Sequence, residues 1–333
     1  MTSRSVTLID VARAAGVSKS TASNALGGSG RVAGTTRERI REVARELGYR
    51  PNTAARSLRR SSTGAIGLHL PRTATRLDYY MNLAFGAVER AREDGLDLVL
   101  LAPGTASGGR LASRVDGLLV IDPEVDDQTV PDLLNAGVPV VTGERHLGGG
   151  TAPSGAVVCD NAASLLALLD HLAERGARRP ALLVPGPASD WAAALRGAAR
   201  TWSHRKGAEV IVRTVPFAAT PAEVEAVTAD LVAGVPGLDA VVSAPDGAVV
   251  GVLAAAARAG LRPGTDLLVA ACVDGAAARG SGPPVTAVDL RPADYGRACA
   301  ALLGDLLAGT TEPGTVRRHD WTLNVRASTA GRA

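Results

Sequence analysis

Six hydrogen-bonding side chains lie within one short segment of the chain: Ser18, Lys19, Ser20, Thr21, Ser23 and Asn24. Side chains of these types donate to and accept from base edges in the major groove of DNA, and small ones let the backbone approach closely. The arginines that follow suit phosphate contacts, which position a protein on the duplex. The segment therefore favours recognition of nucleic acid. A small helical bundle with a solvated polar face is the alternative.

Three short helices are predicted to position this segment. The first has Thr7 as its N-cap and Gly16 as its stop signal, with an apolar face made of Leu8, Val11 and Ala12. Ser18 is suited to cap the second helix, whose apolar face consists of Thr21, Ala22, Ala25 and Leu26. Because only a short turn joins two such short helices, they must cross steeply, as in a helix-turn-helix.

The third helix is predicted from a capping box, Thr35 with Glu38, and from Gly48 as a stop signal. Its inner face consists of Ile40, Val43, Ala44 and Leu47. Its outer face carries Arg37, Arg39, Arg41 and Arg45.

The stretch from Thr7 to Leu58 resembles the headpiece of LacI/GalR-type transcriptional repressors. The matches at fixed spacing are Thr7, Asp10, Val11, Ala12, Ala15, Gly16, Val17, Ser18, Thr21, Ser23, Leu26, Thr36-Arg37-Glu38-Arg39-Ile40, Leu47-Gly48-Tyr49, Pro51-Asn52 and Leu58. The resemblance implies that Lys19, Ser20 and Asn24 read bases. It implies further DNA contacts, mostly to the backbone, for Thr7, Ser18, Thr21, Ser23, Arg31, Tyr49, Asn52 and Ala55.

The residues after Pro51 are good helix formers without an apolar face large enough to fold alone. In the family that the chain resembles, this stretch is a hinge helix, which forms when two copies pair over the minor groove. The resemblance implies that Leu58 is the apolar wedge inserted between the central base pairs, a known way to kink DNA. A buried linker residue is the alternative for Leu58.

Charge is divided unevenly along the 333 residues, although the total is only +3. Residues 1–63 hold 12 Lys and Arg against 4 Asp and Glu, a net charge of +8, and the remainder carries 24 against 29, or −5. A basic module joined to a mildly acidic body suits attraction to phosphate together with a separate binding duty.

Three widely spaced cysteines, Cys159, Cys272 and Cys299, lie among apolar neighbours. Their odd number and spacing predict buried thiols in a reducing compartment, with no disulfide framework and no metal site. The sequence has no basic-then-apolar leader and no apolar run long enough to span a membrane. We therefore expect a cytoplasmic protein.

Beyond a polar linker at 59–64, short β-type runs alternate with helical runs, which is typical of parallel α/β layers. Two such cycles follow one another, so we predict an α/β fold with two lobes. Ligands of such sheets bind beyond the carboxyl ends of the strands. The predicted cleft therefore lies near 71–80, 143–146, 185–191, 245–247 and 273–275.

Core motifs such as GVPVV at 137–141 and TAVDLRPADYG at 286–296 resemble the same family and imply its periplasmic-binding-protein-like fold. The implied domains are a helix-turn-helix domain at 5–50, a hinge helix and linker at 51–63, and an effector-binding and dimerisation core at 64–329. Lobe 1 would comprise about 64–159 plus 291–319, and lobe 2 about 162–289 plus 321–329. The stretch 103–115 is shorter than the family's usual helix there.

The resemblance is weaker in the pocket. Glu144 replaces the usual Asp of sugar-binding members and keeps a carboxylate that accepts from hydroxyls. Ala194 takes the place of an arginine, and Val273 takes the first place of a late Asp pair. These losses leave the class of effector open between a sugar and a different or less polar metabolite. The candidate effector residues are Tyr79, Tyr80, Glu144, Trp191, Asp246 and Asp274; for the two tyrosines, a core or lobe-rim role is the alternative.

The sequence has no G-x-S-x-G elbow, no G-x-x-x-x-G-K phosphate loop and no H-E-x-x-H metal motif. We therefore predict a protein that is not an enzyme and uses no cofactor. The predicted function is that of a homodimeric repressor, which binds a near-palindromic operator under control of a small-molecule effector in the interlobe cleft. The alternative is a small-molecule-binding protein, or an enzyme on the same fold, whose headpiece does not read DNA.

Overall fold

The computed structural model describes residues 6–27, 32–49, 62–72, 77–102 and 111–331. Its contacts divide the chain into two compact units, Met1–Thr63 and Gly64–Ala333. Several predictions lie outside the described residues. They concern the hinge helix, most of the 103–115 stretch, and the DNA contacts of Arg31, Asn52, Ala55 and Leu58.

The described residues of the first unit form three helices around a small apolar core. They are α1 (Leu8–Ala14), α2 (Lys19–Gly27) and α3 (Gly34–Glu46). Val11, Ala22 and Ile40, one from each helix, are fully buried. Because helices of this length are marginal alone in water, the contact among their apolar faces holds them in place.

The ends of α1 follow the sequence prediction. Thr7 caps the helix in a capping box with Asp10, whose backbone N–H donates to the Thr7 hydroxyl at 3.4 Å. Gly16 and Gly48, the predicted stop signals of α1 and α3, have φ angles of +63° and +64°. Only glycine adopts this left-handed conformation without a steric penalty, so both turns depend on it.

The start of α3 differs from its prediction. Thr35 and Glu38 do not form the predicted capping box, because the helix begins earlier, at Gly34. Thr35 therefore lies inside the first turn, and the capping position is occupied by Ala33, which makes no side-chain hydrogen bond there.

Lobe 1 of the second unit is built on a parallel six-stranded sheet. Its strands are β1 (Ala65–His69), β2 (Asp97–Leu100), β3 (Gly117–Ile121), β4 (Val140–Gly143), β5 (Gly155–Cys159) and β11 (Thr315–His319). They are arranged in the order β11-β5-β4-β3-β1-β2. The accompanying helices are α4 (Asp78–Glu93), α5 (Thr129–Leu134) and α11 (Pro292–Leu307).

Lobe 2 repeats this design with a second six-stranded sheet. Its strands are β6 (Pro180–Val184), β7 (Ile211–Thr214), β8 (Ala240–Ser243), β9 (Leu268–Ala271), β10 (Thr286–Asp289) and β12 (Thr322–Asn324). Their order is β12-β10-β9-β8-β6-β7, and only β12 runs antiparallel to its neighbour. The helices are α6 (Asn161–Glu174), α7 (Asp190–Lys206), α8 (Pro221–Gly234), α9 (Val249–Arg258) and α10 (Ala276–Gly280), followed by a 3-10 turn at Ala327–Thr329.

The predicted two-lobed α/β fold is confirmed. Every residue of β3, β5 and β6 is buried, as expected for parallel strands covered by helices on both faces. The chain passes from one sheet to the other between β5 and α6, between β10 and α11, and between β11 and β12. These passages place the carboxyl ends of strands from both lobes on either side of one cleft.

Two glycines allow α4 and α11 to pack closely. A Cβ added at Gly86 would overlap the carbonyl oxygen of Ala293, and one added at Gly296 would overlap that of Leu83. We expect Gly86→Ala to lower the free energy of unfolding by about 1–3 kcal/mol, because the helices would have to move apart. Gly234→Ala is the control, since its Cβ meets no atom within 4 Å. Urea denaturation giving equal free energies for the two variants would contradict this packing.

Candidate DNA-binding helix and interlobe pocket

Helix α2 presents a polar face to solvent. Lys19, Ser20 and Asn24 are exposed, whereas Ala22 and Ala25 are fully buried in the core shared with α1 and α3. The three side chains predicted to read bases therefore lie on the side of α2 that is available to a partner.

Ser18 caps α2 as predicted. Its Oγ accepts from the backbone N–H of Thr21 at 3.1 Å. The same oxygen lies 2.8 Å from the hydroxyls of both Ser20 and Thr21. The cap satisfies one of the N–H groups that a helix leaves unpaired at its start. It also orders the hydroxyls of Ser18 and Thr21, two of the predicted backbone contacts, beside the positive end of the helix dipole.

The remaining described candidates have structural contacts of their own. The Thr7 hydroxyl donates to Asp10 at 2.7 Å, and Tyr49 packs against the core of the unit. Ser23 is half-buried. Their contacts with DNA stay predictions.

Arg39 is exposed, as predicted for the outer face of α3, and it also contacts the turn after α1. Its guanidinium donates to the carbonyl oxygen of Ala15, which follows α1. Arg39 therefore joins two helices of the bundle. Arg45 instead pairs on the surface with Glu42 at 2.8 Å, as an outer-face arginine should.

A pocket with little free room lies between the lobes of the second unit. All five predicted cleft segments contribute to its lining, which comprises Leu77, Tyr79, Tyr80, Asp122, Glu144, Cys159, Asn161, Trp191, Phe217, Pro245, Asp246, Val273, Leu290, Tyr295 and His319. The room inside is about 30 Å³, enough for about two water molecules. A larger ligand therefore requires the lobes to separate.

Aromatic rings form much of this pocket. Five of the nine aromatic residues in the chain line it: Tyr79, Tyr80, Trp191, Phe217 and Tyr295. Phe217 of lobe 2 lies 5.8 Å from Trp191 and 6.4 Å from Tyr80 of lobe 1, measured between ring centroids. Tyr79 meets Tyr80 edge to face at 5.2 Å. These are favourable aromatic separations, so the rings help to hold the two lobes together.

Two buried carboxyl groups lie on the lobe 1 side of the pocket. The Tyr80 hydroxyl donates to Asp122 at 2.7 Å, and the Tyr295 hydroxyl donates to Glu144 at 3.2 Å. Burial raises the pKa of Asp122 to about 7, against the opposing effect of the Tyr80 hydrogen bond. Burial, followed by the charge of Asp122, raises the pKa of Glu144 to about 8.

Strained backbone coincides with these carboxyl groups. Asp122 has a φ angle of +45° and Glu144 one of +70°. Among the described residues the only other non-glycine residue with positive φ is Arg291. Such conformations are costly and concentrate at functional sites, where the surrounding structure enforces them.

Asn161 is a buried polar residue in the same lining. It is 2% exposed, and neither Oδ1 nor Nδ2 has a hydrogen-bond partner among the described residues. Its amide lies near enough to Glu144 to oppose the rise in that pKa, but without hydrogen-bond geometry. Because an unpaired buried amide costs free energy, the pocket has hydrogen-bonding capacity that a ligand can use.

The structure brings together five of the six predicted effector residues: Tyr79, Tyr80, Glu144, Trp191 and Asp246. Asp274 lies instead in an open mouth beside the pocket. Its carboxylate accepts from Arg326 at 2.6 Å and from Asn324 at 2.7 Å. Both oxygens already bind protein donors, and the effector contact of Asp274 stays a prediction.

Sequence reasoning missed several pocket residues, among them Asp122, Asn161, Phe217 and Tyr295. A signal existed for Asp122, which directly follows β3 and so lies at the carboxyl edge of the sheet. Tyr295 lies within the family motif at 286–296, but the resemblance gave it no role in the pocket. Phe217 follows β7 in a loop, where only the scarcity of aromatic residues could have indicated it.

Among the described residues, no lysine or arginine lines the pocket. Ala194, at the position of the family's arginine, does not line it either. Arg196 lies nearby in sequence, but its guanidinium donates to the carbonyl oxygens of Pro185 and Val184 at 2.6 and 3.2 Å. The nearby arginine is therefore engaged by the backbone of lobe 2.

The three cysteines are free and buried, as predicted. Burial raises the pKa of Cys159 and of Cys272 to about 12, so both thiols are protonated near neutral pH. Within the described ranges no group of three or more His, Cys, Asp or Glu could hold a metal ion. Nor does any helix in the described part of the chain have the length and apolarity needed to cross a membrane.

The first unit is helical and exposes the polar face of α2, and the second unit is a two-lobed α/β fold with a pocket between its lobes. This is the architecture of a ligand-responsive DNA-binding regulator. Residues 7–52 match the model of bacterial regulatory proteins of the lacI family, and residues 169–329 match a periplasmic binding protein-like domain. The chain is 33% identical over 329 residues to the HTH-type transcriptional regulator CelR of Thermobifida fusca, covering 93% of this chain and 94% of that protein. The chain belongs to the LacI family of transcriptional regulators.

Solved structures agree with this assignment. A CelR–cellobiose complex matches with a TM-score of 0.73 and 28% identity, covering 97% of this chain and 99% of that one. The lac repressor dimer bound to operator and the anti-inducer ONPF matches with a TM-score of 0.83, covering 98% and 99%. At 24% identity, the second likeness shows the fold alone.

Proposed function

We propose that the chain is a homodimeric repressor that binds a near-palindromic operator and is controlled by a small-molecule effector. In this proposal residues 5–50 bind DNA, 51–63 form the hinge and linker, and 64–329 bind the effector and dimerise. The observation that carries the proposal is the polar face of α2. Lys19, Ser20 and Asn24 are exposed on this face, while the opposite face of the helix is buried and Ser18 caps its start. Small hydrogen-bonding side chains on such a helix suit the major groove.

The charge distribution supports DNA as the partner of the first unit. Its net charge of +8 attracts phosphate, whereas the rest of the chain, at −5, does not. Because phosphate contacts release counterions, binding should weaken steeply with salt.

Gel-shift with genomic fragments at several salt concentrations tests the proposed function. We expect a strongly salt-dependent shift that selects particular fragments. Asn24→Ala should then change the base preference at one operator position by about 1–3 kcal/mol, whereas a phosphate contact would weaken all sequences equally. Glu46→Ala, at the exposed end of α3, is the control that keeps the preference. Retention of all fragments alike, or of none, would support a ligand-binding protein whose headpiece does not read DNA.

An apolar face on α4 supports the proposed dimer. Met81, Phe85 and Val88 lie on successive turns and are 44%, 61% and 42% exposed. Large apolar side chains that share one exposed face typically mark a protein contact. The solved relative that is named a dimer shows that the fold can pair.

We expect Phe85→Glu to shift the chain from dimer to monomer, since a buried charge would replace the most exposed apolar side chain of that face. Analytical ultracentrifugation over a range of concentrations gives the measurement. Val125→Glu is the control, a similar change at a residue 48% exposed outside α4. Equal dimer affinities for the two variants would remove α4 from the interface.

The interlobe pocket supports the proposed effector site. It combines aromatic walls with a few polar groups, as small-molecule sites generally do. Solved relatives carry cellobiose or the ligand ONPF, so a sugar or another small metabolite is the proposed class of effector. Because little room remains when the lobes are in contact, ligand size should control how far they close.

A further inference from the structure

The interlobe pocket contains three carboxyl groups. Asp122, Glu144 and Asp246 line it, and its lining residues in the described part of the chain include no lysine or arginine. Asp246 accepts from the backbone N–H of Tyr79 across the cleft at 3.1 Å. Burial, followed by the charge of Asp122, raises the pKa of Glu144, so a positive charge placed beside this carboxyl group would be favourable.

The lining of the pocket mouth also has more carboxylates than arginines, although one of these carboxylates, Asp274, is paired with Arg326. The mouth has about 390 Å³ of room and shares Tyr79, Asp246, Val273 and Leu290 with the pocket. Its further charged residues are Asp78, Asp274, Asp289 and Asp294 against Arg279 and Arg291. Both arginines are paired already, Arg291 with Asp294 at 2.6 Å and Arg279 with Asp274 at 3.7 Å. A cleft lined by one sign of charge raises the local concentration of oppositely charged ligands.

The pocket walls suit a cation as well. Tyr79, Tyr80, Trp191 and Phe217 present aromatic rings, and ring faces attract ammonium groups. Asn161 adds a buried amide with no partner on Oδ1 or Nδ2, and its oxygen can accept from an N–H donor.

We propose that the effector of this pocket is a small organic cation, a protonated amine or a quaternary ammonium group, and not a neutral sugar or an anion. The proposal rests on the proposed role of the interlobe pocket as the effector site. A bound ammonium group beside Asp122 and Glu144 would stabilise their ionised forms and pair with them, which a neutral hydroxyl group cannot do. A phosphate or carboxylate ligand would instead place a further negative charge beside these acidic groups.

Pairs of ligands that differ only in charge test the proposal on the unmodified chain. Benzylamine is compared with benzyl alcohol, and glucosamine with glucose, by thermal shift and by titration calorimetry. We expect the amine of at least one pair to raise the melting temperature while its neutral twin does not. Equal effects within both pairs, or no effect of either amine, would overturn the proposal.

Proton release provides a second measurement on the same protein. A bound cation favours ionised carboxylates, so calorimetry near pH 7 in two buffers of different ionisation enthalpy should show protons released on binding. The facing groups Tyr80, Tyr295 and Cys159 have raised pKa values and stay protonated, and the lowered pKa of His319 leaves it neutral. Binding of an amine without proton release from the carboxyl groups would count against the proposal.

Variants of similar shape but without the carboxyl group test whether Glu144 and Asp122 bind the ammonium group. Glu144→Gln and Asp122→Asn should each weaken amine binding by about tenfold or more, because each removes one buried partner of the cation. The exposed Glu209 gives the control variant Glu209→Gln, whose affinity should be that of the unmodified chain. Far-ultraviolet circular dichroism establishes that each variant is folded. Unchanged amine affinity in both folded pocket variants would overturn the proposal.

Operator binding separates this proposal from the proposed function. Suppose that glucose or benzyl alcohol alters the affinity of the intact chain for its selected DNA fragment and the amines do not. The proposed function as a regulator is then supported, and the proposal of a cationic effector is wrong. If no DNA fragment is selected under any condition, the proposed function fails, whatever the pocket binds.

Discussion

Replacing Arg326 by Met is expected to lower the free energy of unfolding by about 3–5 kcal/mol, because it leaves a buried carboxylate without its main partner. Arg326 donates to both oxygens of Asp274, at 2.9 and 2.6 Å. The Asp274 side chain is 2% exposed and that of Arg326 20%. Arg326 also donates to the carbonyl oxygen of Val285 at 2.6 Å, so the pair joins the last segment of the chain to the rest of lobe 2.

Arg291→Met is the control for this prediction. Arg291 pairs with Asp294 at 2.6 Å, but the two side chains are 43% and 52% exposed. Solvent screens such a pair, so its loss should cost about 0–1 kcal/mol. Urea denaturation monitored by circular dichroism gives both values. Similar losses for the two variants would show that the burial of Asp274 does not strengthen its pairing.

Local patterns in the sequence predicted the DNA-binding helices well. Their ends are set by residues that act within one turn, such as Thr7 with Asp10 and the glycine at 16. The predicted start of α3 was wrong. Thr35 and Glu38 match the capping-box pattern in sequence, but in the structure the helix already begins at Gly34. Arg39 shows the same limit, since its bond to Ala15 crosses from one helix to another.

The cleft was predicted from strand order, but the partners within it were not. A polar residue that follows a parallel strand lies near the carboxyl edge of the sheet. Whether its carboxylate then faces the pocket depends on long-range partners. Asp274 and Asp122 both follow strands of this kind, yet Arg326 engages the first, whereas the second lines the pocket. Arg326 lies 52 residues from Asp274, so no local spacing could indicate the pair.

The same carboxyl groups predict how stability depends on pH. The folded pKa of Glu144 is about 8 and that of Asp122 about 7, both above their ordinary values of 4.5 and 3.8. The folded state therefore holds protons that the unfolded chain has already lost. The contribution of each group is present at acidic pH and is lost as pH rises through its folded pKa.

We expect Glu144→Gln to gain stability relative to the unmodified chain as pH rises, by about 2–3 kcal/mol between pH 6 and pH 8, because glutamine carries no charge to bury. The difference between the two proteins is the informative quantity. Burial lowers the pKa of His69 and of His171, so these histidines make the folded protein more stable as pH rises. This contribution is the same in both proteins and cancels in the difference. Urea denaturation at several pH values gives the difference, with the exposed Glu209→Gln as a control that should stay flat. A flat difference for Glu144→Gln as well would mean that its carboxyl group is ionised in the folded protein, and that the pocket holds its negative charge without help from a ligand.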